Sequence, residues 1–150
     1  MQPVCPPLSW PSGWDAARIA RHPLSWVPFV GPRVRAARDI RAQLRARDRR
    51  CADLWGPDPE RRRVSDVVCH IIAYCMGWPN DCFIPEDPVE ILLWEDSIVG
   101  LMRPEQALLM VEEQLGITFE EGEEVTWSGT LGEMVDSIVR RLRLRDAPPG

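Results

Sequence analysis

From Pro59 onward, apolar residues return at helical spacing in four separate stretches, each with its own start or stop signal. Val64, Val67, Val68, Ile71, Ile72 and Cys75 line one face of a predicted helix. Asp58 caps it, Pro59 occupies its first position, and Gly77 ends it. Asp87-Pro88-Val89-Glu90 repeats the start signal, with Asp87 expected as the cap and Ile91, Leu92, Leu93 and Trp94 as the buried face. Arg103-Pro104-Glu105 opens a third helix with Ala107, Leu108, Val111 and Leu115 inward and Gly116 at its end. The fourth starts at a Thr130–Glu133 capping box and carries Leu131, Met134, Val135, Ile138, Val139 and Leu142 on one stripe. Amphipathic stripes need one another, because a single one cannot bury its apolar face. The pattern therefore predicts an all-α bundle, and only Ile117-Thr118-Phe119 reads as a short extended candidate.

The segment before Pro59 differs in kind. Residues 1–32 are rich in Pro and lack periodicity, which suits an irregular arm. Residues 33–55 are expected to form one Arg- and Ala-rich helix with a thin stripe through Val34, Ala37, Ile40, Leu44 and Cys51/Leu54/Trp55. GPDPE at 56–60 marks the boundary between an N-terminal arm and helix, 1–58, and a bundle, 59–150. Charge follows the same division. Residues 1–63 hold 13 Arg against 6 acids (+7), and residues 64–150 hold 5 Arg against 17 acids (−12), which together give the net −5. Acid within the same chain favours packing of the basic helix onto the bundle over binding of nucleic acid or an anionic surface. Trp10, Trp14 and Trp26 are the residues that would stack on bases or sit at a membrane interface in that alternative.

The five cysteines form no C-x-x-C pair, and the N-terminus lacks the basic and apolar regions of a secretory signal. Reduced thiols in a cytoplasmic protein are the expectation. The apolar run Leu24–Gly31 is broken by Ser25 and Pro28, well short of the ~20 residues that span a bilayer. Cys69, His70, Cys75 and Cys82 do not have zinc-ligand spacing. Asp66 and His70, four apart, are expected to form a solvated surface pair. No phosphate loop, nucleophile elbow or catalytic carboxylate pair stands out, so no enzyme is expected and no catalytic residue is named.

Three segments carry a family resemblance: RRRVSDVVCHIIAYCMGW (61–78), VEEQLGITFEEGEE (111–124) and TLGEMVDSIVRRL (130–142). Met76-Gly77, Glu112-Glu113-Gln114-Leu115-Gly116-Ile117 and Thr130-Leu131-Gly132 resemble the helix ends and the final helix start of acyl carrier proteins. The resemblance implies a small acyl-carrier-like helical bundle, with the basic helix as an N-terminal extension. It also implies a place for 4'-phosphopantetheine, on a serine that opens the second carrier helix. Ungapped counting puts that position on Gly100-Leu101-Met102, which offers no hydroxyl; the nearest substitute is Asp96-Ser97-Ile98. No cofactor is therefore expected, with phosphopantetheine on Ser97, beside Asp96, as the alternative. The function expected is a non-enzymatic docking or adaptor domain that shows Glu105, Glu112, Glu113, Glu120 and Glu121 to a protein partner with a basic surface. A genuine acyl carrier using Ser97 is the first alternative, and nucleic-acid or anionic-surface binding through the Arg-rich helix is the second.

Overall fold

The computed structural model describes residues 5–25, 27, 31–94, 103–119 and 129–149. Among them the fold is all α. The helices are α1 (Ala16–Arg21), α2 (Pro32–Arg45), α3 (Pro59–Met76), α4 (Val89–Leu92), α5 (Pro104–Leu115) and α6 (Leu131–Asp146), with a 3-10 helix at Arg49–Trp55 between α2 and α3. The only sheet-like contact among these residues is an isolated antiparallel bridge between Pro88 and Thr130.

α3 is the central element, and its most extensive helix contacts are with α5 and α6. Asp58 caps it by accepting from the Glu60 amide at 3.0 Å, Pro59 takes the first turn, and Gly77 closes it in the left-handed conformation (φ 71°). Its inward residues Val64, Val68, Ile71, Ile72 and Cys75 meet Ala107, Val111 and Leu115 of α5, and Leu131, Val135, Ile138 and Leu142 of α6, in one core. The predicted stripes of α3, α5 and α6 thus bury as expected, with Val67 and Leu108 only partly covered at the edge of the core. Ile117-Thr118-Phe119 is in no strand.

The N-terminal segment shares that core. Leu8, Ile40, Leu44 and Trp55 belong to the same buried cluster as α3–α6. The single helix expected over 33–55 is instead two: α2 ends at Arg45, and the 3-10 helix begins at Arg49. The break lets Arg47 turn inward. Its guanidinium meets Asp87 in a two-pronged ion pair, with both N–O distances 2.6 Å and side-chain exposures of 3% and 0%. Asp87 is therefore not the cap of α4, whose N-cap is Pro88 and whose length is a single turn. Its carboxylate also accepts from the amides of Leu8 (2.9 Å) and Ile84 (2.8 Å), while Arg47 donates to the carbonyls of Pro6 and Cys82. A buried charge costs heavily unless it is paired and hydrogen-bonded, and this one is both.

The arm lies over this ion pair as a strap. Leu8 enters the core, Ser9 exchanges two hydrogen bonds with the Gln43 side chain, and Trp10 meets Trp94 edge-on at 5.1 Å. A disulfide between Cys5 and Cys51 ties the strap to the 3-10 helix, which corrects the expectation of five reduced thiols. Such bonds persist in oxidising surroundings, so the cysteines no longer argue for a reducing one. Cys69, Cys75 and Cys82 are free thiols. No helix among the described residues is long and apolar enough to cross a membrane.

Candidate functional site

The outer face of α5 holds the described acidic candidates. Pro104, Ala107, Val111 and Leu115 turn to the core, so Glu105 and Glu113 project from the opposite side and are exposed. Leu109 lies one turn from each, at the middle of a row with a spacing of four, and is 61% exposed. It is exposed, as Leu144, Tyr74 and Leu54 also are, but it alone of these lies between two carboxylates on one helix row. Its signal was present in the sequence: the stripe Ala107, Leu108, Val111, Leu115 leaves Leu109 outside, yet it was not singled out there. Among the described residues, no cation pairs with Glu105 or Glu113.

Glu112 has a different task. It is half-buried, and its carboxylate accepts from the Phe119 amide at 2.7 Å, holding the chain that leaves α5. The C-terminal arginines of α6 complete that hold. Arg145 donates to the carbonyls of Leu115 and Gly116, and Arg141 donates to Thr118 while its guanidinium lies over the Phe119 ring. The Leu115 and Gly116 carbonyls end α5 without intrahelical partners, and a cation there also complements the helix dipole. The arginines at the end of α6 therefore serve the end of α5 as well as their own helix. Arg143 reaches the start of α3, pairing with Asp58 (2.6 Å) and Glu60 (2.9 Å). Arg61 stacks over Trp55 and pairs with Asp136 at 2.7 Å. The end of α5 is thus tied to α6, while no described cation pairs with the outward carboxylates Glu105 and Glu113.

Asp96, Ser97, Glu120 and Glu121 lie outside the described residues, as does Trp26. Trp10 is half-buried against Trp94 and supports the strap, whereas Trp14 is partly exposed. His70 is exposed, as expected, but its nearest acid is Asp81 at 3.9 Å, not Asp66. Among the described residues no group of three His, Cys, Asp or Glu side chains is placed to hold a metal ion.

A cleft of about 370 Å³ opens beside α3, lined by Trp55, Asp66, Cys69, Asp81, Cys82 and Phe83 among others. Burial, reinforced by the field of Asp81, Asp66 and Asp87, pushes the Cys69 thiol far above its ordinary range. A thiol held protonated is a poor nucleophile, so Cys69 offers this cleft no covalent chemistry. Burial likewise raises the Cys75 thiol, which contacts the Met110 sulfur at 3.4 Å across the α3–α5 interface. No family model, curated protein or solved structure matches the chain.

Proposed function

We propose that the chain is a non-enzymatic docking module, an acidic helical adaptor of the acyl-carrier-like kind, that offers α5 to a protein with a basic surface. The row Glu105–Leu109–Glu113 carries this assignment: one exposed apolar anchor framed by two carboxylates that no described cation neutralises. Apolar anchors supply affinity at interfaces, and the surrounding charge sets encounter rate and orientation. Glu112 supports the row from beneath by its bond to Phe119. Glu120 and Glu121 extend the acidic character along the chain that follows.

Affinity capture from native lysate tests the assignment. Any protein bound by the wild type through this row is lost with Glu105→Arg/Glu113→Arg and with Leu109→Ala. It is retained with Asp66→Arg, which reverses an exposed charge on α3. Leu109→Ala is expected to weaken binding about tenfold or more, the effect of losing an interface anchor. Equal recovery by all four proteins would end the proposal.

Docking of this kind needs no thiol arm. Co-expression with a phosphopantetheinyl transferase is expected to leave the intact mass unchanged. A gain equal to one phosphopantetheine, lost in Ser97→Ala, would replace docking with acyl carriage.

A further inference from the structure

The arm holds a second feature of opposite charge. Two open clefts, of about 620 Å³ and 550 Å³, adjoin at α1 and share Trp14 and His22. Arg18 and Arg21 line the first and Arg35 lines the second. Trp14 is 37% exposed, with the His22 ring edge-on at 5.7 Å. In the bundle, Arg61, Arg143 and Arg145 pair with carboxylates. No described acid forms an ion pair with Arg18, Arg21 or Arg35.

Local bonds hold two of these side chains in place. Arg18 donates one Nη to the Gly13 carbonyl, and Arg21 donates Nε to the Ala17 carbonyl, which leaves further N–H groups on each guanidinium. Asp15 caps α1 through the Arg18 amide, and Asp39, which lines the second cleft with Arg35, accepts from Gln43 and leaves that cleft less basic than the first. His22 Nδ1 accepts from the Leu24 amide, which fixes the imidazole next to Trp14.

We infer that the paired clefts around Trp14 bind a nucleotide, with the base against the Trp14 ring and the phosphate on Arg18 and Arg21. Guanidinium forks match phosphate oxygens, and an indole gives any base a stacking surface without selecting its sequence. Arg35, across the shared Trp14–His22 wall, provides for a second phosphate. The ligand chemistry is thus base plus phosphate, whether free or within a single strand. This site is distinct from the acidic row on α5 and stands or falls without it.

The test uses the full chain and two probes: adenosine monophosphate by calorimetry, and a labelled short oligodeoxythymidylate by fluorescence anisotropy. Trp14, Arg18 and Arg21 are all exposed, so their replacement leaves the fold intact, as circular dichroism will verify. Trp14→Ala is expected to weaken binding about tenfold. For the oligonucleotide, two neutralised phosphates at ~0.7 each give a slope of log affinity on log salt of about −1.4, and Arg18→Ala/Arg21→Ala reduces it to about −0.7. Sensitive binding of both probes identifies the free nucleotide as sufficient, and sensitive binding of the oligonucleotide alone identifies a single strand. The inference is overturned if neither probe binds, if binding ignores Trp14→Ala, or if the same residues instead serve anionic vesicles that the nucleotides fail to displace.

Discussion

The two ends of α6 are fastened by opposite means. At its start, backbone meets backbone: the amides of Leu131 and Gly132 donate to the carbonyls of Asp87 and Pro85, each at 2.8 Å, and the Val89 amide donates to Gly129. The acceptor Asp87 is the residue whose buried carboxylate holds Arg47, so the start of α6, the strap and the link that follows α2 converge on a single short loop. At its end, α6 is held by long side chains in water. Arg143 pairs with Asp58 at the same 2.6 Å as Arg47 with Asp87, yet its side chain is 57% exposed. Equal distance does not mean equal energy. Dielectric and desolvation separate the two pairs, and the buried one is indispensable only because removing either partner strands the other.

Asp87→Ala should therefore be the most damaging change. It leaves the Arg47 guanidinium buried without a counter-charge, at a cost of about 3–5 kcal/mol in urea unfolding. The double change Arg47→Met/Asp87→Leu sharpens the contrast. It removes both charges and should recover part of the loss, but not all, because the Leu8 and Ile84 amides lose their acceptor. Full recovery would show that the ion pair alone matters and that the two amides find other partners.

Gly132→Ala probes the same end of α6 without touching charge. A Cβ built there would lie 2.9 Å from Pro85 Cβ and 3.0 Å from its carbonyl oxygen, atoms of a tethered loop that cannot easily retreat. The expected loss is about 1–3 kcal/mol, the usual range for overpacking. A neutral result would mean that the 85–87 loop yields in spite of its backbone tethers to α6.

The same contrast explains what could be read from the sequence. The inward residues of α3, α5 and α6 follow a period of 3.6, and the caps at Asp58 and Thr130 sit within three residues of the amides they serve, so local pattern sufficed. Asp87 departs from its local pattern for a physical reason: Asp-Pro-Val-Glu is a good cap in isolation, but the guanidinium that claims the carboxylate is 40 residues away. The break after Arg45 has no Gly or Pro to announce it; the buried partner of Arg47 accounts for it. Cys5 and Cys51, separated by 46, likewise carried no local sign of pairing. In the candidate site, Glu105 and Glu113 could be placed by periodicity. Glu112 could not, since its bond to the Phe119 amide depends on how the chain folds back after Gly116.

The smallest effect belongs to the exposed end of α6, and pH is the way to see it. Desolvation would raise the Asp58 carboxyl, but hydrogen bonds from Arg143 and from the amides of Glu60 and Arg61 outweigh it and hold the group below its ordinary value. A carboxyl depressed on folding adds stability that is fully present above its unfolded value, ~3.9, and is lost as pH falls through the lower folded value. Asp58→Asn preserves a good helix cap while removing the charge, so it isolates the ionic part. Wild type should exceed this variant slightly in urea midpoint at pH 7. The gap should hold down to about pH 4 and close below it, and salt near 1 M should narrow it at neutral pH because the pair is open to solvent. A gap that persists unchanged at pH 2 would assign the difference to cap geometry, leaving Arg143 with no measurable electrostatic share in fastening α6 to α3.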